Sequence, residues 1–144
     1  MKRASITLYA EPAEFTRLQA FADGFAHQCG LPDDERSRLL VILDELFTNA
    51  VTHGHGPHSA GGTIAVSLGL RAGRLRISFV DDGQPFDPLA FRGPVLVGAA
   101  ARGIGGLGIH IVRSLVHQAR YRREGDRNHL HLVRRVASPS QVGG

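Results

Sequence analysis

Strand-forming and helix-forming stretches do not alternate along this chain, and that order removes most α/β architectures at the outset. Ser5–Ala10 alternates Ile6, Leu8 and Ala10 with polar neighbours, the two-residue period of a half-buried strand. Pro12 and Glu14 open a helix whose apolar residues Phe15, Leu18, Phe21, Ala22 and Phe25 recur at three- and four-residue spacing, and which stops near Gly30. A second helix follows with no strand between. It starts at Leu31-Pro32-Asp33-Asp34-Glu35, with proline and acids where a helix N-terminus favours them, and runs to about His53. Leu39, Leu43, Leu46 and Ala50 form its apolar stripe, widened by Leu40, Phe47 and Val51.

Gly54–Gly62 reads as a loop. Thr63–Leu70 and Leu75–Asp81 read as strands joined by a hairpin turn at Arg71-Ala-Gly73-Arg74. Gln84–Arg102, with three prolines, is longer than an ordinary connection, and such loops are usually functional or disordered. A third helix runs from Gly105 to about His117 with Ile109, Val112 and Val116 inward. Strands Ala119–Arg123 and His129–Val136 close the chain, joined by Glu124–Asn128. The order β-α-α-β-β-loop-α-β-β predicts an α+β fold: a two-layer α/β sandwich with a mostly antiparallel mixed sheet and three helices on one face. One domain is expected over residues 1–136, with 137–144 as a disordered polar tail.

Bulk properties narrow the class. The chain has 144 residues, enough for one domain with a single core. No apolar run approaches the length of a membrane helix, and Met1-Lys-Arg-Ala-Ser5 lacks the apolar core of a signal peptide. The single cysteine, Cys29, excludes an intramolecular disulfide framework, so a cytoplasmic location is expected. The net charge of +4 invites a nucleic-acid partner, but the excess is arginine-based, no basic run exceeds two residues, and with no Trp and only two Tyr there is no obvious stacking platform. A solvated arginine-rich surface, or an acidic protein partner, suits it better.

Three short segments carry the chemistry. Glu45-Leu-Phe-Thr-Asn49 puts a carboxylate and an amide one turn apart, on a polar arc with Thr48 and Thr52 opposite the leucine stripe. An amide oxygen can be one hard ligand of Mg²⁺, and a carboxylate can take a proton from a hydroxyl attacking a γ-phosphate. Val80-Asp81-Asp82-Gly83 ends a strand and is followed by Phe86-Asp87-Pro88; a carboxylate there could select an amino-bearing base, or simply close a turn. Gly103-Ile-Gly105-Gly106-Leu107-Gly108 opens the third helix, where exposed amides bind phosphate oxygens. This run also satisfies the dinucleotide fingerprint, but it follows a long loop rather than a strand, and no repeated βαβ unit is present. His53, His55 and His58 lie in the glycine loop without an adjoining cysteine or acidic ligand, so a zinc site is not expected.

In this order the three segments resemble the N box and two glycine boxes of the GHKL ATP-binding fold, and most of all the anti-sigma-factor serine/threonine kinases of bacterial partner switching. The resemblance covers roughly residues 5–136. It implies Mg-ATP as ligand, with Glu45 as catalytic base, Asn49 as Mg²⁺ ligand, Asp81, Gly83 and Phe86 at the adenine, and Gly103, Gly105, Gly106, Leu107 and Gly108 at the triphosphate. The loop before them becomes an ATP lid, with Arg102 at its end within reach of the γ-phosphate. One departure is Pro85, where many relatives have a second glycine. The implied partners are a STAS-domain antagonist and a sigma factor or other effector, without direct nucleic-acid or membrane contact, and a homodimer is suggested. The alternative is a nucleotide-dependent binding module that sequesters a partner without phosphotransfer.

Overall fold

The computed structural model describes residues 2–55, 62–90 and 106–136. Strand β1 (Lys2–Tyr9) is followed by helices α1 (Phe15–Cys29) and α2 (Asp33–Asn49), then strands β2 (Thr63–Arg71) and β3 (Arg74–Asp81). Helix α3 (Gly106–Leu115) and strands β4 (Gln118–Glu124) and β5 (Arg127–Arg135) complete it. The five strands form one sheet in the order β1-β2-β3-β5-β4, and all four pairings are antiparallel. The expected two-layer α+β sandwich is the fold observed. The first strand begins three residues earlier than the alternation at Ile6 indicates.

Local chemistry sets the boundaries. Gly30 ends α1 in the left-handed region at φ 67°, and Leu31 N–H reaches back to the Ala26 carbonyl at 2.9 Å, the paired closure that suits glycine. The β2–β3 hairpin turns on Ala72 and Gly73, at φ 51° and 75°, a two-residue turn whose twist matches the strands. Three-layer burial is absent from the described residues: Ile64, Val66 and Leu68 of β2, Leu75, Ile77 and Phe79 of β3, and Leu130 and Leu132 of β5 face the helices, and Leu18, Leu39, Leu43 and Val112 meet them. Alternate residues of each strand lie on the uncovered face.

Helix α2 does not stop at Asn49 but widens into a π-helical turn, Ala50–His55, so the expected loop begins later than Gly54. The tail 137–144 and most of the expected lid lie outside the described residues.

One sequence expectation is corrected here. Arg134 is not part of a solvated surface. It points into the sandwich and grips Glu35 of α2 with two bonds, Nε to Oε2 at 2.8 Å and Nη2 to Oε1 at 2.9 Å, while Nη1 donates to the Leu115 carbonyl at 2.6 Å. Arg38 adds a third bond to Glu35 at 3.0 Å. The Arg134 bonds hold the Glu35 carboxyl below the ordinary glutamate value of 4.5. A carboxyl lowered on folding stabilises the fold above its unfolded value, and that contribution is lost as pH falls through the folded value. Glu35→Gln is expected to cost about 3 kcal/mol at neutral pH, because it leaves Arg134 half-paired in a buried place. Thermal melts of both proteins should differ most at neutral pH and converge in acid; a constant difference would show that packing, not charge, is at stake.

Candidate active site

The last turn of α2, the end of β3 and the start of β5 converge under the segment that follows β3. Leu46, Asn49, Ala50, Phe79, Asp81, Phe86, Pro88, Tyr121, Asn128 and Leu130 line one small cavity there, of about 30 Å³. Its walls are mostly apolar, with Asn49 from the helix and Asp81, Tyr121 and Asn128 from the sheet as polar groups, the usual make-up of a small-ligand site. Space for a water or two is present, and Phe86 and Pro88 form part of its wall.

Asn49 is where the α2 helix differs from expectation. It does not lie on a solvent-facing arc opposite the leucines. Ile42, Leu46 and Asn49, spaced by four and three, are all buried, so Asn49 continues the inward face at its flank. The residue is 6% exposed, and its amide makes no hydrogen bond among the described residues. A buried amide left without a partner costs about 1–3 kcal/mol, and such groups are scarce in folded proteins. An oxygen-bearing side chain in that state is chemically suited to a hard cation or a ligand donor. Thr48 and Thr52 are exposed.

Glu45, one turn earlier, is half-buried, and burial first, then the neighbouring Asp44 charge, raises its carboxyl above the ordinary 4.5. It lies against the first turn of α3. A Cβ at Gly108 would overlap the Glu45 carboxylate, so only glycine leaves that carboxylate its place. The glycine run and the N-box carboxylate, far apart in sequence, are thus in contact.

Asp81 is 8% exposed. Its Oδ1 accepts two bonds, from the Gly83 N–H and from Asn128 Nδ2, both at 2.9 Å. Gly83 is buried beside the cavity and caps Asp81, while its carbonyl accepts from Arg123 at 2.8 Å. Asn128, missed by sequence reasoning, is the hub. At 4% exposure it also donates to the Gln84 carbonyl at 2.8 Å, and its Oδ1 accepts from Tyr121 Oη at 2.5 Å and from Phe86 N–H at 3.3 Å. Both amide hydrogens and both lone pairs are used. The reverse amide orientation would set an oxygen against a carboxylate and a carbonyl, so the network allows only one. Burial raises the Tyr121 hydroxyl, which stays protonated and able to donate. The signal for Asn128 was present: with Leu130, Leu132 and Arg134 it alternates inward, so the strand begins before His129, not after Asn128.

Phe86 lines the cavity, and Pro85, next to it in the chain, is exposed. Gly106, Leu107 and Gly108 form the first turn of α3, whose backbone N–H groups have no partner within the helix. Arg102, Gly103 and Gly105 lie outside the described residues, as do His58 and the side chains of His53 and His55. His129 and His131 share one strand face, with ring centroids 6.4 Å apart.

Residues 8–134 match the histidine kinase-like ATPase domain family. The chain belongs to this family. A serine-protein kinase RsbW of Halalkalibacterium halodurans is 29% identical over 106 residues, covering 70% of this chain and 64% of that protein. The serine/threonine-protein kinase BtrW of Bordetella bronchiseptica is 32% identical over 112 residues, 73% of this chain and 74% of that protein. Among solved structures, the RsbU and RsbW domains of Rv1364c from Mycobacterium tuberculosis superpose with a TM-score of 0.69 at 21% identity, covering 96% of this chain and 34% of that one. A blue-light activated histidine kinase domain from Erythrobacter litoralis EL346 gives 0.56 at 20% identity, over 85% of this chain and 60% of that one. The chain therefore spans 64% of the RsbW protein's length and about a third of the mycobacterial chain, and these structural likenesses speak for the fold. The cavity lies where the segments around Asn49 and Asp81 meet. No helix among the described residues is long and apolar enough to cross a membrane.

Proposed function

We propose that this protein is an ATP-dependent serine/threonine kinase of the anti-sigma type, acting in the cytoplasm of a bacterial partner-switching system. Its protein substrate would be a STAS-domain antagonist, and a sigma factor or other effector would be the partner it holds and releases, with the kinase as a homodimer. The observation that carries this reading is the buried Asn49 amide, without a hydrogen-bond partner among the described residues, in one cavity with Asp81 and one turn from a carboxylate of raised pKa. The RsbW and BtrW relatives, named as serine and serine/threonine kinases, support it.

Each residue has a task in this reading. Asp81, held by Gly83 and Asn128, accepts the amino group of adenine, which guanine lacks at that position. Asn49 offers its amide oxygen to Mg²⁺. The first turn of α3, with Gly106, Leu107 and Gly108, donates backbone N–H groups to phosphate oxygens, together with Gly103, Gly105 and Arg102 before it. Mg-ATP supplies the phosphoryl group and the neutralising charge. Glu45, with its raised carboxyl, takes the proton from the attacking serine or threonine hydroxyl.

Incubation with γ-labelled ATP and a STAS-domain antagonist tests the reading: label should reach a serine or threonine of the antagonist. ATP binding without any transfer would instead establish a nucleotide-dependent binding module. Gly108→Ala is a finer probe. Its methyl would push the Glu45 carboxylate aside, and a misplaced catalytic group is expected to slow transfer about 10²-fold. Calorimetry should show nucleotide still binding, and wild-type transfer by this variant would take Gly108 out of the mechanism.

A further inference from the structure

The two layers differ in charge. Helices α1 and α2 carry the acids Asp23, Asp33, Asp34, Glu35, Asp44 and Glu45, with only a few arginines among them. The uncovered sheet face is the reverse. Arg71, Arg74 and Arg135 stand in one row across three adjacent strands. Arg3 and Arg76 stand in the next row with only Gly69 between them. Arg120 lies opposite His131 and Arg122 opposite His129. Among the outward strand positions the one acid is Glu124, and it already pairs with Arg122 at 2.9 Å.

Like charges set directly opposite one another weaken a sheet. A face built this way is disfavoured by stability alone and requires another account. Its centre is a groove of about 350 Å³ whose floor is short: Ser5, Ser67, Gly69 and Ser78, flanked by Arg76 and His131. Guanidinium forks and serine hydroxyls at one level form a donor surface matched to carboxylates. His131 is held below the ordinary histidine range by partial burial first, then by the charges of His129, Arg122 and Arg120.

We propose that the open face of the sheet is a docking surface for an acidic protein, whose carboxylate side chains enter the groove beside Arg76 and His131. A single-stranded nucleic acid is the weaker fit, since it needs aromatic platforms, and the outward strand positions offer only Tyr9, at the end of the edge strand. A second copy packed face to face would oppose arginine rows to arginine rows. The inference does not use the nucleotide pocket and stands or falls apart from it.

The test uses the full chain and poly-L-glutamate as probe, at low ionic strength, with affinity read by calorimetry and location by the imidazole resonances of His129 and His131. Wild type should bind and shift both resonances. Arg76→Glu with Arg120→Glu should weaken binding about tenfold or more, while Arg17→Glu with Arg36→Glu, an equal charge change on the helical layer, should cost about threefold at most. If the reversed pair fails to fold, Arg76→Ser with Arg120→Ser serves the same comparison. Equal loss from both layers, or no binding by wild type, overturns the proposal. Tighter binding of oligothymidylate than of polyglutamate overturns it in favour of nucleic acid. Sedimentation showing a dimer that the Arg76 and Arg120 substitutions dissociate overturns it in favour of a second copy.

Discussion

Glu45→Ala is expected to slow phosphotransfer by about 10²–10⁴-fold while leaving Mg-ATP affinity within about twofold of the parent. In the proposed mechanism the carboxylate acts on the incoming hydroxyl, not on the nucleotide, so its loss falls on the chemical step. Asn49→Ala should behave differently. Removing a ligand of the metal that holds the phosphates should weaken Mg-ATP binding about tenfold or more and transfer with it. It should not lower the melting temperature of the nucleotide-free protein, because the amide it deletes is buried and has no hydrogen-bond partner among the described residues. Affinity, single-turnover transfer and melting temperature on both variants separate the roles. Normal transfer by Glu45→Ala would remove the base from the mechanism. The raised Glu45 carboxyl adds a pH signature: the base must be ionised, so transfer should fall on acidification at a pH above the 4.5 of an ordinary glutamate.

Asp81→Asn should weaken ATP binding about ten- to a hundredfold with little change in stability. Oδ1 accepts from Gly83 and Asn128, and an asparagine oxygen can take over both bonds. The substituted NH₂ then turns toward the ligand side, donor against the adenine amino donor. Calorimetry with ATP, beside thermal melts without it, checks both halves. Unchanged affinity would remove Asp81 from base recognition. A large fall in melting temperature would mean that the carboxylate serves the fold instead. Asn128→Asp is the complementary change: it sets a second carboxylate against Asp81 and the Gln84 carbonyl, so it should harm binding most at neutral pH and least in acid, where the pair can share a proton.

The elements were legible because their periods are strong. Leu18, Ala22 and Phe25 at helical spacing, and Ile64, Val66 and Leu68 at strand spacing, are buried as their patterns imply. The two residues read least well, Asn128 and Arg134, are polar residues on an inward face. Alternation assigns such residues to a loop or to solvent when hydrophobicity is the only guide, and only the partner across the sandwich, Asp81 for one and Glu35 for the other, explains them. Asn49 was found through a motif, not through its pattern; a helical wheel drawn from leucines alone misses Ile42 and so turns the buried arc by part of a turn. Contact between Gly108 and Glu45 joins elements with two strands and a long connection between them, and no local spacing carries that information.

Asp81 and Asn128 are register partners, and they stand on the junction of two hairpins. The β2–β3 and β4–β5 hairpins each close through a two-residue turn and are local in sequence, so each is the kind of unit that forms within microseconds. Joining β3 to β5 must close the whole connection that contains α3, a slower event governed by chain entropy. The base pocket does not exist in either hairpin alone and appears when they meet. Nucleotide would then act as a latch on the finished sheet, slowing its opening while leaving the rate of its assembly unchanged.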